Sequence, residues 1–81
     1  MKVKVKFFAV LRERAGTAGA IQEIKEGSTV RELWEVLQRD YPQLARVQAR
    51  ILYAVNLNYV NGDYILKDED EVVFVPPVSG G

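Results

Sequence analysis

The stretch from Thr29 to Pro42 constrains this chain more than any other, because it holds a helix start, an amphipathic face and a stop within one short span. Thr29-x-x-Glu32 fits a capping box, in which each side chain satisfies a backbone N–H that the first helical turn leaves without a partner. On a helical projection Val30, Leu33, Trp34, Leu37 and Tyr41 fall in one arc, with Arg31, Glu32, Glu35, Gln38 and Arg39 opposite. Pro42 ends the run, since it lacks an N–H and disfavours a helical residue before it. Such a helix must bury its apolar face against another layer. Trp34 and Tyr41 sit at helical spacing inside that stripe, so they read as core side chains, not as a stacking site for a ring cofactor. A short turn of helix is predicted at Leu44 to Gln48.

The layer that the helix needs is legible on both sides of it. Lys2 to Phe8 alternates strictly, with Val3, Val5 and Phe7 on one side and Lys2, Lys4, Lys6 and Phe8 on the other, the pattern of a half-buried strand. Small residues and two glycines from Gly16 to Gly19 signal a turn. Ala20 to Lys25 alternates more weakly, with Ile21 and Ile24 as its apolar members. Ile51 to Leu57 is rich in branched and aromatic residues, which suits a central strand. Asn61-Gly62 offers the positive backbone angles of a tight turn, with a short strand or hairpin after it. Glu71 to Val75 is the last strand, with Val72 and Phe74 on one face and Val73 and Val75 on the other. The order strand, strand, helix, strand, short strand, strand predicts an α+β fold of the β-grasp type, one main helix across a mixed sheet of about five strands. Eighty-one residues suffice for one small core, read as a domain over 1–75 and a tail over 76–81.

Composition excludes several kinds of chemistry. Eleven basic residues balance eleven acidic ones, so the usual electrostatic drive toward nucleic acid is absent. The longest apolar run, Phe7 to Leu11, is far too short to cross a membrane and follows a charged alternating stretch unlike a signal peptide. The reading is a cytoplasmic protein without a nucleic-acid or membrane partner. Without Cys or His there is no disulfide, no thiolate or imidazole ligand for a metal, and no base for Thr17, Ser28, Thr29 or Ser79 to use in a hydrolytic triad. Asp68, Glu69, Asp70 and Glu71 lack the spaced oxygens and central glycine of a calcium loop, so they read as a charged turn.

The chemistry that remains lies at the C-terminus, Pro76-Pro77-Val78-Ser79-Gly80-Gly81. Two prolines stiffen the exit from the last strand and set its direction. The six residues reach roughly 20 Å when extended, far enough to enter a partner's channel while the domain stays outside. Gly80 and Gly81 have no side chains to obstruct a narrow passage and leave the terminal carboxylate of Gly81 unhindered. A carboxylate is a poor electrophile, most simply activated as a mixed anhydride with AMP. No residue of this chain performs that activation, so the activating enzyme is a separate protein.

Phe7-Phe8-Ala9 with Leu11-Arg12-Glu13, Ala54-Val55-Asn56, and Leu66-x-Asp68-x-Asp70-Glu71-Val72 running into the Pro-Pro-Val-Ser-Gly-Gly end together resemble the ubiquitin-like sulfur carriers that form the small subunit of molybdopterin synthase. The resemblance covers essentially the whole chain, and Glu69 stands where that family has glycine in an Asp-Gly-Asp turn. It implies that the chain binds no cofactor and is no enzyme on its own. An adenylating partner using ATP and magnesium would form an acyl-adenylate on Gly81, and a sulfurtransferase system would convert it to a thiocarboxylate. The tail would then enter the large synthase subunit, within a heterotetramer, and give its sulfur to cyclic pyranopterin monophosphate. Two carriers would serve each dithiolene.

Alternation points Phe8, Val73 and Val75 away from the face that holds Val5, Phe7, Val72 and Phe74. With Tyr59 and Val78 they are read as an apolar docking patch, and Arg12 and Arg14 lie close to the same edge. Related carriers for thiamin thiazole or tRNA thiolation share the tail, and a protein modifier would join Gly81 to lysines. A plain interaction module with an inert tail is a further reading.

Overall fold

A computed structural model describes residues 1–47 and 50–76. Lys2–Phe7 forms β1, and its side chains alternate between exposed and buried as the sequence pattern requires. Gly19–Glu23 forms β2, antiparallel to β1. Between them Val10–Ala15 forms a short helix, α1, in a stretch to which the sequence reading assigned no element, ahead of the turn read at Gly16 to Gly19. Its start carries no capping side chain, because Ala9 turns the chain at φ 52°, ψ −129°. Its end has the anticipated signal: Gly16 is left-handed at φ 76°, and its N–H donates to the Arg12 carbonyl.

The amphipathic helix is α2, Val30–Asp40. Both halves of its capping box form: the Glu32 N–H donates to Thr29 Oγ1 (3.2 Å), and the Thr29 N–H donates to Glu32 Oε1 (3.1 Å). Thr29→Ala should therefore cost about 1 kcal/mol of unfolding free energy, measurable by denaturant titration. Val30, Leu33 and Leu37 are buried. Trp34 and Tyr41 pack against the core, as read, with the Trp34 ring 4.9 Å from Phe74 and the Tyr41 ring edge-on to Phe7 at 5.9 Å. After Pro42 a 3-10 turn, Pro42–Arg46, carries buried Leu44. Gln48, the predicted end of that turn, lies outside the described residues.

Leu52–Val55 forms β3, Asn58–Val60 forms β4 and Glu71–Val75 forms β5. The sheet order is β2-β1-β5-β3-β4, with β5 parallel to β1 and antiparallel to β3. This is the anticipated β-grasp: the last strand enters the middle of the sheet and α2 covers one face. The core joins Val3, Val5 and Phe7 of β1, Val72 and Phe74 of β5, Val55 of β3 and the apolar stripe of α2.

Three details correct the sequence reading. Ile24 is buried but Ile21 is 68 % exposed, because the two lie on opposite faces of the sheet. The tight turn with positive angles is Asn56-Leu57 (φ 49° and 73°), which joins β3 to β4; neither Asn61 nor Gly62 takes a positive φ. The short strand therefore precedes Asn61-Gly62 instead of following it. Asn61 still makes a turn, by accepting the Asp63 N–H on its side chain (2.8 Å).

The acidic turn is a structural device. The Lys2 N–H donates to Asp68 Oδ1 (2.9 Å). Buried Asp70 accepts from the Lys67 N–H (2.8 Å) and from Asn56 Nδ2 (2.9 Å), while Asn56 Oδ1 accepts the Glu71 N–H (3.0 Å). Asn56 and Asp70 thus clamp the β3–β4 hairpin to the start of β5, which explains their place among the residues that carry the resemblance. Glu69, where glycine was anticipated, sits at φ 68°. Its N–H donates to the Lys2 carbonyl (2.7 Å), a bond that glycine keeps. Glu69→Gly should stabilise the fold by about 0.5–1 kcal/mol, the relief of left-handed strain less the extra freedom of glycine in the unfolded chain. A higher denaturation midpoint checks this.

Candidate functional site

The tail grows out of the central strand of the sheet, which is hydrogen-bonded to β1 on one side and β3 on the other. Phe74, fully buried, is level with Phe7 on one side and Tyr53 on the other. Its ring meets those of Phe7 (6.3 Å, stacked), Trp34 (4.9 Å) and Tyr53 (5.6 Å, edge-on). Val75 pairs with Leu52, and Pro76, partly buried, is the last residue described before the end. Pro77, Val78, Ser79, Gly80 and Gly81, the remaining tail residues singled out in the sequence, lie outside the described residues. What the fold supplies is a fixed root: two residues before Pro76, the chain is pinned by three aromatic contacts.

The sheet face opposite α2 is the second part of the site. Across it Lys6, Val73, Ala54 and Tyr59 form one row, each paired with the next. Leu52 and Val75 form the adjoining row, and continuing the β1–β5 register places Phe8 level with Val75. The proposed patch residues Phe8, Val73, Val75 and Tyr59 are therefore neighbours on one face, at the root of the tail. Their exposure differs. Phe8 is 49 % and Tyr59 72 % exposed, whereas Val73 is only 8 % exposed although it stands outside the main core, flanked by Lys6 and Ala54. Val78 cannot be placed, as it lies outside the described residues.

Leu52, 40 % exposed, and Ala54 share this face and were not assigned to the patch from the sequence. Both lie in a stretch recognised as a strand, but which of its faces is open depends on its register with β5. Arg12 lies on α1 and lines a groove together with Phe8, Lys4, Lys6 and Ile21. Lys6 Nζ also forms an ion pair with Glu71 (3.4 Å). On the far side, Arg31 donates to Asp63, and that hydrogen bond, with the charge of Asp63, raises the guanidinium pKa above its ordinary value. Among the described residues no group of three or more acidic side chains is placed to hold a metal ion, and no helix is long and apolar enough to cross a membrane.

Comparison with known proteins agrees with this layout. A profile of the ThiS family matches residues 5–81. The molybdopterin synthase sulfur carrier subunit of Escherichia coli is 42 % identical over 81 residues, covering 98 % of this chain and 99 % of that protein. SAMP1 of Haloferax volcanii superimposes with a TM-score of 0.88 at 27 % identity over the full length of both chains. The small archaeal modifier protein 1 of Methanosarcina acetivorans does so with a TM-score of 0.80 at 35 % identity, over 99 % of this chain and 96 % of that one. By sequence over nearly its whole length and by fold, the chain belongs to the ThiS family, with molybdopterin synthase sulfur carrier subunits among its relatives.

Proposed function

We propose that this chain is the sulfur-carrying small subunit of a molybdopterin synthase and works through a thiocarboxylate on Gly81. The observation that carries the proposal is the 42 % identity, over nearly all of both chains, to a protein named for that role. The chemistry is consistent with it. With neither Cys nor His, the chain has no side-chain thiol to carry sulfur, so sulfur travels on the backbone terminus. The Gly81 carboxylate attacks the α-phosphorus of ATP in a magnesium-dependent activating enzyme, and pyrophosphate leaves. Sulfide delivered by a sulfurtransferase system then adds to the acyl carbon, AMP leaves, and a thiocarboxylate remains.

In the large synthase subunit the tail gives that sulfur to cyclic pyranopterin monophosphate, and two loaded carriers complete one dithiolene. The general acids and bases belong to that subunit, since the carrier is not an enzyme on its own. Phe8, Leu52, Tyr59 and Val75 form the docking patch, with Arg12 at its edge and Val73 and Val78 as further members. A rigid root with an apolar patch beside it suits this use, because the partner must fix the domain before it can thread the tail. The complex is a cytoplasmic heterotetramer.

The reading is tested by reconstitution. Chain loaded with sulfur by the activating enzyme should yield molybdopterin when mixed with the large subunit and cyclic pyranopterin monophosphate. Chain left as the carboxylate should yield none. Product formation from unloaded chain would overturn the proposal.

A second reading is favoured by the likeness to small archaeal modifier protein 1. The same activated Gly81 would be joined to a lysine side chain, with the lysine amine displacing AMP. Branched peptides ending in Gly80-Gly81 on lysines of other proteins, found by mass spectrometry in the native host, would establish that use.

A further inference from the structure

A cleft opens at the end of the sheet where the chain leaves β5. There β4 and β5 finish and β3 begins, because Val75 pairs with Leu52 and Val60 with Tyr53. Arg31 of α2, Arg50, Tyr53, Tyr59, Asn61 and Gly62 line the cleft, around a volume of about 650 Å³. The lining includes two guanidinium groups and no carboxylate. Arg31 is held in place. Its N–H donates to the Gly62 carbonyl (3.0 Å), its Nη1 donates to Asp63, and its Nη2 lies so close over Gly62 that a Cβ there would stand 2.8 Å from it. Asp63 offsets the charge of Arg31, whereas Arg50 is exposed and, among the described residues, enters no ion pair. The net positive charge of the cleft therefore belongs to Arg50, with the remaining Arg31 donors beside it.

We propose that this cleft binds the C-terminal carboxylate of the chain's own tail, with Arg50 as its principal partner. Position is the first argument for this occupant. Continuing the β3–β5 register sets Ile51 level with Pro76, so Arg50 flanks the last residue described before the tail. β4 lies two strand spacings, about 10 Å, from β5, and residues 77–81 span up to about 17 Å when extended. Charge is the second argument. Residues 77–81 carry no ionisable side chain, so their one charge is the Gly81 carboxylate, and the planar fork of a guanidinium matches a carboxylate. So short a tether makes the contact intramolecular at a high effective concentration, which lets one exposed ion pair populate it. This goes beyond the carrier reading, since it needs a carboxylate on Gly81 but no sulfur. A docked terminus is withheld from any enzyme that takes it, in proportion to the docked fraction, so the cleft shields Gly81 until a partner displaces it.

The test is the amide NMR signal of Gly81 in the full isotope-labelled chain, beside that of the free peptide Pro-Pro-Val-Ser-Gly-Gly, at low and high salt. In the wild type at low salt Gly81 should differ in shift from the peptide, and high salt should move it toward the peptide value. Arg50→Glu should abolish the difference, while Arg50→Lys, which keeps the charge but not the fork, should retain part of it. Arg50 is exposed and outside every helix and strand, so the signals of Phe74 and Val55 should stay in place in Arg50→Glu, which separates lost docking from an altered fold. A peptide-like Gly81 signal in the wild-type chain, or a distinct signal that Arg50→Glu leaves unmoved, would overturn the proposal. Either result leaves the carrier reading intact, because sulfur transfer by the loaded chain is measured separately, by reconstitution.

Discussion

A chain that lacks Gly81 should fold and melt like the full-length protein yet transfer sulfur at least about 100-fold more slowly. The described core elements end at Val75, so the deletion touches none of them. A carboxylate still ends the shortened chain, now on Gly80, so the functional group is present but misplaced. Each extended residue spans about 3.5 Å, and a misplacement of about 1 Å at a reacting centre already costs about 100-fold in rate. The measurement is molybdopterin formed per unit time by wild-type and shortened chains, alongside their thermal melts. Equal rates would remove Gly81 from the chemistry and leave only an inert tail.

The largest expected effect on stability is at Phe74. Phe74→Ala removes a fully buried ring that contacts Phe7, Trp34 and Tyr53, and it leaves a cavity between the sheet and α2. Such truncations cost about 3–5 kcal/mol. Total stabilities run from about 5 to 15 kcal/mol, and a domain this small belongs at the lower end, so most of the margin would be lost. Denaturant unfolding should show a midpoint close to zero denaturant, or a chain already unfolded in water. Phe74→Leu keeps most of the volume and should cost far less. A wild-type midpoint for Phe74→Ala would mean that the root of the tail is not anchored by this ring.

How much of this could be read in the sequence depends on which interaction decides each element. α2 is decided locally: its cap, its stripe and its stop lie within fourteen residues, and all three were legible. The alternation of β1 and the apolar pattern of β5 are also local, and burial follows them residue by residue. α1 was missed because its start depends on unusual backbone angles at Ala9 (φ 52°, ψ −129°), a conformation that alanine does not signal by itself.

 The hairpin at Asn56-Leu57 was missed for a related reason. Leu57 carries no sign of a positive φ, and the turn that holds it is tied through Asn56 to Asp70 and Glu71, residues distant in the chain.

The site divides in the same way. The reading of the tail rests on residue types alone: prolines for direction, glycines for access, and no thiol or imidazole to compete. Alternation assigned Phe8, Val73 and Val75 to the open face, and the strand register places Tyr59, grouped with them for its nearness to the last strands, on that face as well. Leu52 and Ala54 needed the pairing of β3 with β5, which no local pattern specifies. Val73 shows the converse limit of alternation: it faces the open side as read, yet its neighbours leave it only 8 % exposed.

The central claim is that sulfur travels on the carbonyl carbon of Gly81. Its most direct test is the intact mass of the protein purified from its native host without reductant, followed by the mass of its C-terminal peptide. The account predicts a population heavier by the exchange of one oxygen for sulfur, with the difference confined to the peptide that ends in Gly80-Gly81. An unmodified C-terminal peptide from cells that are actively making molybdopterin, or the oxygen-to-sulfur mass difference found on another peptide of the chain, would contradict it.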